Sequence, residues 1–175
     1  MIRTLTALFG LLLLSIACTT SRVGAAFQEF SYTSPKGGFS VEFPSPVWKK
    51  IGEPDDVHQH TEFIYGERSD GYLRIRKETL DQGVSIQEFA RRDQDERTRF
   101  QPGFVDGKSE TFNGRLDGVT ASYEFTQGGK PMAGRNYYLK IDDHSVYVLR
   151  FTGSRDKFLR IRNQTDFIAR SLKLK

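Results

Sequence analysis

From Lys108 to Phe151 the chain reads as a run of short strands with almost no slack between them, and that spacing dictates how a sheet can be wired. The cleanest strand puts Val119, Ala121, Tyr123 and Phe125 on one face and Thr120, Ser122, Glu124 and Thr126 on the other, the two-residue period of a strand with one face buried. Gly128-Gly129 then closes a hairpin onto a partner over about Ala133 to Ile141, a dipeptide suited to the positive φ of tight hairpin turns. Asp142-Asp143-His144 turns into Ser145 to Phe151, and another strand over roughly Lys108 to Phe112 comes first. Parallel neighbours need a crossover of about a dozen residues or more. No such length is present, so this part of the chain is an antiparallel meander.

Ahead of the meander, Gly38 to Phe43 alternates as a half-buried strand ended by Pro44 and Pro46, since proline cannot donate to a ladder. Trp48 opens an irregular stretch through Asp56. Thr61 to Tyr65 and Tyr72 to Leu80 read as a strand pair with its turn around Ser69-Asp70-Gly71. Ser85-Ile86-Gln87-Glu88 is a capping box, with Val84 and Phe89 placed as a hydrophobic staple. The helix it opens runs to about Arg99 and stops before Pro102-Gly103; its apolar stripe is thin, which predicts a surface position. A last helix follows Gly153, with Ser154 as N-cap. Phe158, Ile161, Thr165, Ile168 and Leu172 recur at three- and four-residue steps, a face that packs on the sheet, while Arg155, Lys157, Arg160, Arg162 and Arg170 take the rest.

The beginning of the chain reads as an export signal. Arg3 precedes an apolar run from Leu5 to Ala17, too short for a permanent span of about 20 residues. Cys18, the single cysteine, sits where the run stops and resembles the acylated cysteine of a bacterial lipobox. Ala17 fits that pattern; Ser15 departs from it, with Leu14 one residue early. A competing cleavage site follows Gly24-Ala25-Ala26. The expected organisation is a signal peptide over 1–17, a lipid-anchored tether over 18–26 and one domain over 27–175. That domain has no disulfide and is held by its core alone, which is feasible because about 150 residues bury about 70% of their extended surface. Thiol catalysis and cysteine-ligated zinc are excluded from it as well. The net charge of +4 is uneven: Cys18 to Lys130 carries 15 basic and 18 acidic residues, and Pro131 to Lys175 carries 10 and 4. The basic end reads as a solvated face.

The best metal candidate is the pair His58 and His60, which share a face if they lie on a strand and have Asp55, Asp56 and Glu62 beside them. His144 beside Asp142 and Asp143 suits a hairpin turn better than acid–base machinery. No nucleophile elbow, phosphate loop or dinucleotide fingerprint is present, and no cofactor is expected. Arg74, Arg76, Lys77, Arg91 and Arg92 are interleaved with Asp93, Asp95 and Glu96, a pattern of ion pairs that gives no nucleic-acid surface.

Two stretches carry a family resemblance. Gly38-Phe39-Ser40-Val41-Glu42-Phe43-Pro44 with Trp48 resembles the opening of PsbP-like domains. Val146 to Gly153, Phe158 and Phe167-Ile168-Ala169-Arg170-Ser171-Leu172 resemble their end. The likeness to the Mog/PsbP-like superfamily covers nearly all of Phe30 to Lys175. It implies an α+β fold, an antiparallel β-sheet packed with helices as an α/β/α sandwich. Members of that superfamily mostly bind partners and share no catalytic site, so no functional residue carries over. The resemblance and the leader together imply a non-enzymatic cell-envelope lipoprotein with a binding or accessory domain. Its partner would be a protein or envelope component, and its membrane contact the lipid on Cys18. The alternative is a periplasmic or secreted small-ligand or metal-binding protein, with His58 and His60 at the site.

Overall fold

The computed structural model describes residues 30–175; the leader, Cys18 and the tether lie outside the described residues. In chain order the elements are β1 (Phe30–Thr33), β2 (Phe39–Phe43), β3 (Trp48–Gly52), β4 (Thr61–Tyr65), β5 (Glu67–Thr79), α1 (Ile86–Arg97), β6 (Val105–Phe112), β7 (Gly118–Gln127), β8 (Lys130–Lys140), β9 (Ser145–Ser154), α2 (Arg155–Ser171) and β10 (Lys173–Leu174). The meander is present as read: β6, β7, β8 and β9 pair antiparallel in sequence order. β9 then pairs with β5, giving a seven-stranded sheet of order β3-β4-β5-β9-β8-β7-β6. A three-stranded sheet, β1-β2-β10, stands apart.

Side-chain alternation decides what each face of the large sheet meets. Leu73, Ile75, Tyr137, Leu139, Tyr147, Leu149 and Phe151 point to one side, where they join Phe158, Ile161, Ile168 and Leu172 of the α2 segment and Phe39, Val41 and Phe43 of β2 in the main core. All five positions of the predicted α2 face are buried. On the other side Val119, Ala121, Tyr138, Val146 and Val148 pack beneath Ala90, Ile86 and Phe89 of α1. The sheet is therefore covered by a helix on each side, as an α/β/α sandwich requires. Trp48, the single tryptophan, is buried and donates from Nε1 to Gln164 Oε1 at 3.0 Å. Its emission reports on whether α2 is docked.

Several boundaries differ from the sequence reading. The stretch after Trp48 is not irregular: it is edge strand β3, of which only Trp48 is buried, so no alternation announced it. The turn between β4 and β5 falls at Gly66, in the left-handed region at φ +65. Ser69-Asp70-Gly71 lies inside β5, where the register jumps from Ile64↔Tyr72 to Tyr65↔Glu67. The turn-like tripeptide is thus a bulge, and Gly71 serves close approach there, since a Cβ would come within 2.8 Å of Ile161 Cδ1. α1 ends at Arg97, where Thr98 leaves the helical region at φ −126 and its hydroxyl donates to Gln94 O at 2.7 Å. β6 starts at Val105 and carries a bulge between Asp106 and Ser109. Ser154 occupies the N-cap of α2 but makes no side-chain capping bond. β1 and β10 were not anticipated; both are short edge strands on β2. Among the described residues no helix is long and apolar enough to cross a membrane.

Candidate functional site: a guanidinium hollow on the half-covered sheet

α1 lies over β7 and β8 and reaches Val146 and Val148 of β9, while Arg74 and Arg76 of β5 stand toward the edge of its cover. On β5, Arg74 and Arg76 alternate with buried Leu73 and Ile75 and so point to the α1 side of the sheet. Arg150 reaches it from β9, Arg97 and Phe100 come from the end of α1 and the following turn, and His60 stands ahead of β4. With Glu96 and Val148 these residues line an open hollow of about 290 Å³.

The hollow is organised around one buried carboxylate. The Asp93 side chain, on the inward face of α1, is 4% exposed. It accepts from Tyr138 Oη at 2.8 Å and Arg150 Nη2 at 2.6 Å, with Arg97 Nε at 3.0 Å and Arg76 Nη2 at 3.5 Å. Glu78 backs the cluster, pairing with Arg76 and lying 3.9 Å from Arg97. Burial alone would lower the Arg150 pKa, but the Asp93 charge and hydrogen bond, together with Tyr123 and Tyr138, outweigh it and hold the guanidinium above its ordinary value. At Arg76 burial prevails, helped by the Arg97 and Arg150 charges, and its pKa falls. Arg76 Nη2 and Arg150 Nε are buried without a hydrogen-bond partner.

Arg74 is the residue left over. Its cross-strand neighbours are Glu62 on β4 and Arg150 on β9. Glu62 is already taken: it accepts from Tyr72 Oη, meets His60 Nε2 at 2.8 Å and accepts from Arg68 Nη2 at 3.1 Å. Arg74 therefore sits opposite a like charge on one side and an occupied carboxylate on the other, and it forms no ion pair among the described residues. Like charges directly opposed across strands are destabilising, so this arrangement favours an anion laid over it.

Two carboxylates on the β3–β4 side of the sheet, Glu62 and Glu53, give the protein an acid sensitivity. Burial would raise the Glu62 carboxyl, yet hydrogen bonds from Tyr72 and His60 and the Arg68 charge more than offset it. Glu53 behaves alike: burial raises it, while Lys50 and Tyr32 pull it below its ordinary value. Groups depressed in the folded state bind fewer protons folded than unfolded. Their stabilisation is full above the ordinary value of 4.5 and fades as pH falls below it. The urea midpoint, followed by Trp48 emission, should fall between pH 5 and pH 3, and Glu62→Gln should flatten that slope. A midpoint that holds or rises on acidification would contradict the assignment.

The residues singled out in the sequence fall as follows. The His58 and His60 rings stand edge to face, 5.9 Å apart between centroids. His58 is exposed in a loop, with Nδ1 3.3 Å from Asp55, while His60 is engaged with Glu62. Among the described residues no group of three His, Cys, Asp or Glu side chains is arranged to hold a metal ion. Asp142 Oδ1 accepts from His144 N and Ser145 Oγ, both at 2.8 Å, the geometry of a hairpin turn. Arg91 and Arg92 pair along the outer side of α1 with Asp95 and Glu88, away from Arg74 and Arg76. The sequence reading missed Asp93, Arg97, Phe100 and Arg150 as parts of one site. One signal was present: Arg150 interrupts the apolar run Val146 to Phe151 at a position that a central strand fills with an apolar residue.

No protein-family model matches the chain. No curated protein matches it in sequence. Solved structures do share its fold. LpqN of Mycobacterium tuberculosis, described as involved in cell envelope biogenesis, is 13% identical with a TM-score of 0.58, over 85% of this chain and 91% of LpqN. The cyanobacterial PsbP (CyanoP) of Synechocystis sp. PCC 6803 is 13% identical with a TM-score of 0.58, over 88% and 96% of the two chains. The protein Mog1, as a mutant, is 8% identical with a TM-score of 0.58, over 83% and 95%. A Bacteroides thetaiotaomicron protein is 14% identical with a TM-score of 0.55, over 83% of this chain, which spans about half (48%) of that protein's length. The fold is α+β and of the PsbP/Mog1 kind, as the resemblance at both ends of the chain implied.

Proposed function

We propose that this chain is a non-enzymatic accessory protein of the cell envelope, anchored by a lipid on Cys18, whose domain seats an acidic group of its partner in the guanidinium hollow. The observation that carries the reading is Arg74, a cation in no ion pair among the described residues, set opposite a second arginine in an open hollow at the edge of α1. Guanidiniums stay charged at any working pH and donate without accepting, which suits holding an anion and not moving a proton. The apolar leader ending in Cys18 supports the envelope location. So does the role stated for LpqN, which shares the fold.

The binding half is tested with full-length protein and envelope extract across a salt series. Wild type should retain a partner at low salt and lose it as salt rises, and Arg74→Glu should retain none. Equal retention by both proteins would remove the hollow from the reading. The anchor is tested by intact mass from the native membrane fraction, beside Cys18→Ser. A mature chain starting at Cys18 and heavier by acyl groups supports it; an unlipidated chain starting near Phe27 overturns it.

A further inference from the structure

The make-up of the hollow narrows the anion it takes, granted the reading above that it binds one. Charge comes first. Arg74, Arg76, Arg97 and Arg150, with Arg68 beside them, stand against Asp93, Glu78, Glu96 and Glu62, five positive charges against four negative, so the constellation is short of a single negative charge. A phosphate monoester, carrying about −1.5 to −2 near neutral pH, would overshoot that balance and meet Glu96 in the lining. A carboxylate matches it, and its two oxygens fit the planar fork of a guanidinium.

Size and rim say what accompanies the carboxylate. About 290 Å³ is at the small end of ligand pockets, roughly 300–1,000 Å³, enough for the carboxylate and one short substituent. Phe100 borders the hollow and is 73% exposed, an aromatic surface that gains by being covered. We infer that the hollow recognises a monocarboxylate with an adjacent apolar group, Arg74 meeting the carboxylate and Phe100 packing on the substituent. A free aromatic acid has that chemistry, and so does the C-terminal residue of a peptide ending in an apolar side chain.

The test is titration of the full-length protein in mild detergent, read by arginine Nε–H resonances and by calorimetry. The probes are acetate, phenylacetate, phenyl phosphate, an acetylated dipeptide ending in phenylalanine, and that dipeptide's C-terminal amide. Phenylacetate and the acid dipeptide should saturate, the amide should not bind, and phenyl phosphate should bind more weakly than phenylacetate. Arg74→Gln should weaken both carboxylates about tenfold, the scale of one charge-assisted hydrogen bond. Phe100→Ala should bring phenylacetate down to the affinity of acetate and leave acetate unchanged. Tighter dipeptide binding assigns the site to a partner's C-terminus, and tighter phenylacetate binding to a free acid. Phenyl phosphate outbinding phenylacetate, or an unchanged phenylacetate-to-acetate ratio in Phe100→Ala, overturns this inference and leaves the anion site standing. No saturable shift with any anion removes both. Trp48 emission verifies that each variant is folded.

Discussion

Replacing Asp93 by alanine should cost the fold about 3–5 kcal/mol, the loss expected when one partner of a buried ion pair is removed. The Asp93 side chain is 4% exposed and the Arg150 side chain 11%, so water reaches that pair poorly, though Arg97, 44% exposed, keeps part of its solvation. Arg150, Arg97, Arg76 and the Tyr138 hydroxyl all lose their shared acceptor. Asp93→Asn keeps an acceptor oxygen and drops the charge, so it should fall between alanine and wild type. Asp95→Ala is the control. Among the described residues Asp95 pairs only with exposed Arg91 and Arg99, and its loss should cost about 1 kcal/mol or less. Urea unfolding followed by Trp48 emission measures all three. If Asp93→Ala cost no more than Asp95→Ala, the guanidiniums would have to be solvated, and the description of the cluster as buried would be wrong.

Gly118→Ala should be the other severe change, at about 3 kcal/mol, the upper range for forcing atoms into a filled space. A Cβ at Gly118 would lie 1.8 Å from the carbonyl oxygen of Tyr138 and 2.9 Å from its carbon. The obstacle is backbone, and it cannot give way. Tyr138 is fully buried, paired to Val119 across β7 and β8, and tied through its hydroxyl to Asp93. The strands must part where Gly118 meets Leu139. Gly128→Ala separates this clash from ordinary glycine strain: nothing lies near its Cβ, though its φ is +57, so its cost should be about 1 kcal/mol. Equal losses at the two positions would mean that β7 does not start in the register described.

What could be read from the sequence follows from how one-sided each element is. β7 buries one face and shows the other, so its alternation was plain. α2 does the same with a helical period. Its buried Thr165 was part of the stripe because Tyr137 supplies a hydroxyl at 2.9 Å. The α1 cap was legible in half: Ser85 Oγ accepts from Glu88 N at 3.1 Å, but the Glu88 carboxylate turns to Arg92 instead of back to the cap. The inward side of α1 was illegible because Asp93 and Gln94 are its buried members beside Ala90, and buried charge does not show in an apolar pattern. β3 and β10 lie at sheet edges, where burial on one side is too slight to impose a period, and β1 alternates over only four residues, too few to stand out. The hollow draws on β5, α1, the turn after it and β9, and only the pairing of β5 with β9 brings them together. That long-range pairing has no local signal.

The three-stranded sheet gives the domain a mechanical property. β2 carries the first described strand on one side and the last on the other: Phe30 meets Phe43, and Lys173 meets Ser40. Tension on the chain ahead of Phe30 would be borne first by the ladder bonds of a four-residue strand, outside the seven-stranded sheet that holds the arginines. The domain could then shed β1 under load while the seven-stranded sheet kept its shape, a sacrificial link between whatever pulls on the chain and the face that carries the arginines.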